Sequence, residues 1–152
     1  MLRPDVLMNE DERADLIRRV PIVGFLDIRT VEVSEEHVVL EMPISENAMN
    51  AERRPHGGVV AALIDHVAGT VAGLLAMSRS LTADLNIRFL TAAKGEILRA
   101  EGRIVRAGRR LTVVEVAITD ELGTKVAVAT AGMIPLIADD LPPDVDLLKT
   151  SS

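Results

Sequence analysis

The sequence predicts an α+β fold in which a curved antiparallel sheet wraps around one long central helix. Three observations indicate it: an apolar helical segment over residues 57–77, a strand pair over 24–43 before it, and four strand-like segments after it, the first three with alternating hydrophobicity. A single sheet of this size has one face to cover, and only one long apolar helix is available to cover it. The 152 residues are therefore expected to form one domain.

The part before the long helix predicts a short helix and a hairpin. Residues 9–20 begin with Asn9, which can cap a helix, and carry acids in the first turn and arginines in the last. Residues 24–43 alternate and are rich in Val, Ile and Leu, and the polar stretch 34–36 divides them into two strands. Pro55 and the glycines after it mark the start of the long helix.

Four strands are expected after the helix, because apolar and polar residues alternate with a period of two in the first three and the last is apolar on both faces. They cover residues 81–90, 96–106, about 114–118, and 124–134. In the first of them the alternation predicts one shared face for Leu81, Ala83, Leu85, Ile87 and Phe89. Turns are expected near residue 108 and over 120–123, and the tail over about 138–152 is expected to be loosely held.

The composition excludes several classes of function. The chain has no cysteine, which rules out disulfides, thiolate metal sites and a cysteine nucleophile. Its three histidines lie in dissimilar contexts, so we expect no metal and no cofactor. A net charge of −6 and 1% aromatic residues argue against a nucleic-acid partner. The acidic N-terminal segment does not resemble a signal peptide, and we expect a cytoplasmic protein.

A carboxylate inside the apolar helix is the main candidate for chemistry. Residues 59–77 are long enough to span a membrane, but Asp65 near the middle would be costly there, so a buried helix in a soluble protein is the better interpretation. The residues three and four positions from Asp65 are all small, namely Ala61, Ala62, Ala68 and Gly69. The space left around the carboxylate predicts a pocket and a general base, with a structurally satisfied acid as the alternative.

Two glycines at the start of this helix suggest an oxyanion site. The N–H groups of Gly57 and Gly58 have no intrahelical partner, glycine allows a ligand oxygen to approach closely, and the helix dipole favours negative charge. Asp65 follows Gly57 by eight residues, or about 12 Å of helix, so the two cannot reach one carbonyl within a protomer. We therefore expect a dimer in which antiparallel helices form two composite sites.

The motif consists of Asn50, His56-Gly57-Gly58 and Asp65. It resembles that of the PaaI-type acyl-CoA thioesterases of the hotdog fold, and the resemblance extends over about residues 20–135. It implies a thioester hydrolase that releases a free carboxylic acid and coenzyme A, the latter being part of the substrate rather than a cofactor. It also implies homodimers with a sheet continuous across the interface, usually paired into homotetramers.

The resemblance also implies roles for individual residues. The Gly57 amide would polarise the thioester carbonyl, and His56 and Asn50 would help to place the carbonyl or the water. Asp65 from the facing subunit would act as general base or as nucleophile, which the sequence does not distinguish. Thr82 falls where some members have a hydroxyl that helps to hold the water. The acyl group is expected to be apolar, either aryl-acetyl or medium-chain, in a pocket walled by aliphatic residues.

The resemblance implies cations at the mouth of the pocket, because the phosphates of coenzyme A need positively charged partners there. Arg109 and Arg110 beside Gly108 are our choice, and Arg88 and the backbone of Gly58 are further candidates for substrate binding.

Two positions depart from the family pattern. Many members have glycine where this chain has Arg53, so the loop before the helix is expected to differ and to contribute to specificity. Many also have proline where this chain has Ala92, which we interpret as neutral.

Two other functions fit the same residues. A hotdog enoyl-CoA hydratase or dehydratase pairs a histidine with an acid across the dimer, and His56 with Asp65 could serve. A non-catalytic acyl-CoA binding module is the third possibility. The simplest interpretations are a capping role for His56, a turn role for Asn50 and an ordinary strand position for Thr82.

Overall fold

The computed structural model describes residues 20–76 and 79–136. In chain order the elements are α1 (Pro21–Phe25), β1 (Arg29–Val33), β2 (His37–Pro43), a 3-10 turn (Glu46–Ala48), α2 (Gly57–Leu74), β3 (Ser80–Phe89), β4 (Ile97–Ala107), β5 (Thr112–Asp120) and β6 (Lys125–Pro135). The predicted helix over 9–20, apart from its last residue, and the predicted loose tail over 138–152 lie outside the described residues.

The six strands form one antiparallel sheet in the order β1-β2-β4-β5-β6-β3. The sheet is curved and wraps around α2, which confirms the predicted α+β architecture. In the described part of the chain, β1 and β3 are the edge strands. Edge β3 is ten residues long, and its outer backbone groups have no strand partner among residues 20–76 and 79–136 of the protomer.

Helix α2 provides one side of the core. Its fully buried side chains include Leu63, Ile64 and Val67, which pack on the inner face of the sheet. The closest approach is at Gly102 of β4, where an added Cβ would lie 2.8 Å from Val71 Cγ2. A side chain at this position would therefore push the helix away from the sheet.

By length and composition, α2 is the one helix in the described ranges that could cross a membrane. In this structure the side chains on one face of α2 are instead buried against the sheet, as expected for a core helix.

The start of the first strand differs from the prediction. Residues 24–28 were expected to be extended, but α1 occupies Pro21–Phe25 and β1 begins only at Arg29. Proline fits the first turn of a helix, since it needs no N–H acceptor there, and Asp27 then reverses the chain with φ of 51°. The predicted hairpin is otherwise confirmed, and α2 ends at Leu74, earlier than the predicted residue 77.

The predicted alternation in β3 is wrong at its beginning. Thr82 lies opposite Met133 and Asp84 lies opposite Gly132, so Ala83 is an extra residue in the ladder. This β-bulge turns Thr82, rather than Ala83, toward α2, and Leu81 is left 60% exposed. The bulge has a direct consequence for the candidate site.

Candidate active site

The N-terminus of α2 is capped by the side chain of the preceding residue. His56 is extended (φ −65°, ψ 134°), and its Nδ1 accepts a hydrogen bond from the Gly58 N–H at 2.9 Å. Because Nδ1 accepts, the neutral ring carries its proton on Nε2 and presents that N–H as a donor. His56 is exposed, so this donor can reach a ligand.

The capping pattern leaves one amide of the first turn available. The N–H groups of Gly58, Val59 and Val60 all donate to His56, either to its ring or to its carbonyl oxygen. The N–H of Gly57 has no acceptor among the residues that the structure describes. This is the amide that the sequence predicts as the oxyanion donor, and Gly58, a weaker binding candidate, uses its own N–H in the cap.

The loop before the helix is organised by Asn50. Its Oδ1 accepts hydrogen bonds from the N–H groups of Glu52 and Arg54 at 3.1 and 3.0 Å, and its own N–H donates to the carbonyl of Arg54. Asn50 therefore has the turn role considered for it. Its side-chain amide N–H groups have no acceptor among the described residues and are available as donors, so its role in substrate placement stays a prediction.

Arg53 keeps a glycine-like backbone in this loop. Its φ is 55°, in the left-handed region that glycine adopts without strain and that costs other residues about 1–2 kcal/mol. Arg53 thus carries a cationic side chain where many family members have glycine, yet its backbone keeps the left-handed conformation that glycine favours. The loop is tied to the segment after β3 by Arg54, whose Nη1 donates to the carbonyl of Ala93 at 3.4 Å.

The structure brings Asp65 and Thr82 together within one protomer. The Thr82 hydroxyl donates to Asp65 Oδ1 at 2.6 Å, a short distance typical of a hydrogen bond to a carboxylate. Asp65 is half-buried, and its Oδ2 has no hydrogen-bond partner within residues 20–76 and 79–136. The hydrogen bond therefore fixes one carboxylate oxygen and leaves the other free to accept a proton.

Within one protomer the structure leaves these two groups of residues apart. Gly57 and Asp65 lie on the same helix, about 12 Å apart along its axis. On β3 the Phe89 ring lies next to Gly57, and Thr82 lies seven residues away from Phe89, or roughly 23 Å along the strand. We call the first group, Asn50, His56 and Gly57, the amide half-site, and the second, Asp65 and Thr82, the acid half-site.

The predicted cations divide between the two ends of the sheet. Arg88 lies next to Phe89 on the outer face of β3, opposite Val128. Arg109 and Arg110 are exposed in the turn between β4 and β5. The residue after that turn, Thr112, pairs with Met133, and Met133 also pairs with Thr82 on the next strand. The two arginines therefore lie at the same end of the sheet as the acid half-site.

Two titratable groups were not predicted to have special environments. Asp120 is 3% exposed, and burial alone would raise its pKa, but N–H donors from Lys94, Leu122 and Thr124 hold the pKa below its ordinary value. Asp120 begins the sequence D-E-L-G, and an aspartate at the start of such a turn is the sequence signal that could have predicted these hydrogen bonds. Burial also lowers the pKa of His66, with the charge of Asp65 opposing, and His66 Nε2 is buried without a partner among the described residues.

Within those residues no three His, Asp or Glu side chains form a group that could hold a metal ion. The groups available for chemistry are a carboxylate, a hydroxyl, an imidazole N–H and a backbone amide.

Comparisons with known proteins agree with this fold. The model of the thioesterase superfamily matches residues 55–127. Human acyl-coenzyme A thioesterase 13 is 30% identical over 103 residues, which cover 65% of this chain and 72% of the human protein.

Solved structures give the same result. A hypothetical thioesterase protein from Streptococcus pneumoniae, determined with coenzyme A, is 28% identical, has a TM-score of 0.72 and covers 80% of this chain and 94% of its own. The E. coli PaaI protein has a TM-score of 0.76 at 16% identity, covers 84% of this chain and 92% of its own, and shows the likeness of fold alone. The chain therefore belongs to the thioesterase superfamily and has its hotdog fold.

Proposed function

We propose that the protein is an acyl-CoA thioesterase whose active site combines the amide half-site of one protomer with the acid half-site of another. The observation that carries the proposal is the pair of complementary groups on α2. One free amide lies at the helix N-terminus, and one carboxylate with a fixed oxygen lies two turns later. The human thioesterase relative and the streptococcal neighbour solved with coenzyme A support this choice of substrate class.

The pairing of half-sites requires a homodimer. An antiparallel arrangement of two α2 helices about a two-fold axis would place each Asp65 opposite the other protomer's Gly57. The edge of β3, which pairs with no other described strand, supports this arrangement, because the apolar side chains Leu81, Phe89 and Leu90 are all at least half exposed there. Pairing of two β3 edges would continue the sheet across the interface, and we propose that two such dimers form a homotetramer in the cytoplasm.

In the proposed mechanism, Asp65 Oδ2 accepts a proton from a water molecule as that water attacks the thioester carbonyl. The carbonyl oxygen becomes negative and accepts a hydrogen bond from the Gly57 N–H, with the His56 Nε2–H available beside it. The intermediate collapses, the C–S bond breaks, and the thiolate of coenzyme A takes the proton from Asp65. Direct attack by Asp65, followed by hydrolysis of the anhydride, uses the same groups.

The hydratase or dehydratase alternative needs a histidine that accepts a proton. The Nδ1 lone pair of His56 is occupied by the Gly58 N–H, and Nε2 carries the proton. Neither nitrogen is then free to act as a base, so the geometry favours thioester hydrolysis. Measurement of enoyl-CoA hydration alongside thiol release tests this alternative, and hydration without thiol release would support it.

The decisive experiment follows free thiol release from a panel of acyl-CoAs by the wild type and by Asp65→Asn. We expect the variant to lose about 10²- to 10⁴-fold in kcat, the range of general-base catalysis, with its stability unchanged or raised because functional charges tend to cost stability. If Asp65 has only a structural role, the opposite result is expected: the Asp65→Asn variant is less stable than the wild type, and neither protein releases thiol.

A matched control is Asp84→Asn, which changes an exposed aspartate on the same bulged strand as Thr82. We expect it to retain the wild-type rate. Thiol release by Asp65→Asn at the rate of this control would remove Asp65 from the mechanism, and absence of release by the wild type on all substrates would contradict the enzyme proposal. A non-catalytic binding module predicts the latter result together with measurable affinity for acyl-CoA.

A further inference from the structure

A groove with a volume of about 440 Å³ lies beside the N-terminus of α2. Its floor is apolar and comes from three parts of the chain: Val60 on the helix, Phe89 and Leu90 at the end of β3, and Val126 on β6. The Leu90 N–H donates to the Val126 carbonyl at 2.8 Å, so the floor is held by main-chain hydrogen bonding. The volume lies within the range of about 300–1,000 Å³ for small-ligand sites.

Phe89 connects the groove to the amide half-site. A Cβ added to Gly57 would lie 3.5 Å from Phe89 Cζ, which is ordinary van der Waals contact, so the tip of the ring lies next to the residue with the free N–H. The same ring lines the groove and is 52% exposed. A ligand whose carbonyl meets the Gly57 amide would therefore find the groove immediately behind the Phe89 ring.

The charges of the groove favour a neutral occupant. Among its described lining residues, Arg54 is the one cation, and its guanidinium already donates to the Ala93 carbonyl. Glu52 at the rim is an anion that would repel a phosphate. The groove thus offers an apolar surface without net positive charge, which suits a hydrocarbon group better than the nucleotide part of coenzyme A.

We infer that this groove binds the acyl group of the thioester and that Phe89 is a specificity-determining residue. The inference rests on the proposed thioesterase function and goes beyond it by naming the surface that selects the substrate. One of the two phenylalanines in the chain lies here, so the wall combines an aromatic ring with the aliphatic residues expected from the sequence. Linear acyl chains of medium length and aryl-acetyl groups both fit such a wall.

The test measures kcat/KM of the wild type for straight-chain acyl-CoAs from acetyl to decanoyl, and for phenylacetyl-CoA. Burial of each added methylene in the groove predicts a gain of about two- to fourfold up to the length at which the groove is full. Equal kcat/KM for acetyl-CoA and octanoyl-CoA in the wild type would overturn the inference.

Two variants alter the groove without touching the core. Ala92 is exposed and lines it, so Ala92→Phe fills part of its volume, whereas Phe89→Ala removes the aromatic wall. We expect each to lower the ratio of kcat/KM for octanoyl-CoA over acetyl-CoA by about tenfold or more. A matched control is Leu122→Ala, which removes an apolar side chain that is 71% exposed in the turn after β5, outside the groove lining, and should leave the ratio unchanged.

A fall in kcat/KM by the same factor for all substrates in both groove variants would overturn the inference, since it would indicate a structural effect. If the wild type hydrolyses no thioester, the proposed function fails, and the groove is then tested by calorimetric binding of octanoyl-CoA and of coenzyme A. Tighter binding of octanoyl-CoA that Ala92→Phe abolishes supports the groove assignment, and equal affinities overturn it.

Discussion

The amide half-site and the acid half-site are built from different kinds of interaction. In the amide half-site, every hydrogen bond that fixes Asn50, His56 and Gly57 joins residues close in sequence, apart from the contact of the His56 N–H with the Ala48 carbonyl across the same loop. The acid half-site depends on a single contact between residues 17 positions apart, the Thr82–Asp65 hydrogen bond. One half-site is local and the other is tertiary.

This difference predicts different sensitivities. The amide half-site exposes a backbone N–H, which no side-chain substitution other than proline can remove. The acid half-site relies on the bulge at Ala83 to turn a hydroxyl toward the helix, so it depends on the strand register. Substitutions that remove one group while preserving its surroundings can separate the two contributions.

After Asp65→Asn, the largest loss of kcat in this comparison is expected from Gly57→Pro. Proline is well tolerated at the first position of a helix, and the preceding His56 already has the extended conformation that proline requires (ψ 134°). The substitution deletes the one free amide of the first turn and should lower kcat by roughly 10²- to 10³-fold, as loss of an oxyanion donor does in other enzymes. Thiol release and a thermal melt are the measurements.

Gly57→Ala is the matched control for that substitution. Its Cβ would make an ordinary contact with the Phe89 ring at 3.5 Å, and the N–H remains in place. We expect activity within a fewfold of the wild type. If the proline and alanine variants are equally active, the Gly57 amide does not stabilise the oxyanion.

A smaller effect is expected from Thr82→Val, which removes the hydroxyl and keeps the branched shape suited to a strand. A hydrogen bond to a charged group contributes about 1.5–3 kcal/mol, so an upper estimate of the fall in kcat is roughly 10- to 100-fold. Thr82→Ser keeps the hydroxyl and should retain most of the rate. A valine variant with wild-type kcat would show that Asp65 is positioned without Thr82.

The fold could be predicted because its signals are periodic. The long apolar helix and the four strands after it are confirmed, whereas the predicted beginning of the first strand is wrong because Pro21 starts a helical turn that hydrophobicity does not distinguish from a strand. The bulge in β3 was also missed. Alternation assumes an unbroken ladder, and nothing in the sequence around Ala83 marks an extra residue.

The same distinction applies to the candidate site. His56 and Gly57 could be selected from local sequence, because helix-capping chemistry depends on neighbouring residues. The contact between Thr82 and Asp65, the ring of Phe89 against Gly57 and the groove behind it come from pairing of β3 with β6 and from packing on α2. These depend on long-range register, which a single sequence specifies only through the complete fold.

The smallest effect on activity is expected from a substitution of Asp120. This carboxylate supports the segment after Phe89, because it accepts a hydrogen bond from the Lys94 N–H at 2.9 Å. Its pKa in the folded protein is lowered, so its ionised form stabilises the fold. That contribution is complete above the unfolded-state pKa of about 3.9 and is lost as the pH falls below it toward the folded-state pKa. Asp120→Asn should therefore lower Tm by several degrees at pH 7, and the difference from the wild type should shrink below about pH 4.

Because Asp120 anchors the wall of the groove rather than the acid half-site, the variant should raise KM for octanoyl-CoA more than it lowers kcat. Thermal melts across pH, combined with kinetics at pH 7, measure both effects, and a Tm difference that is the same at pH 3 and pH 7 would contradict the role of the ionised carboxylate.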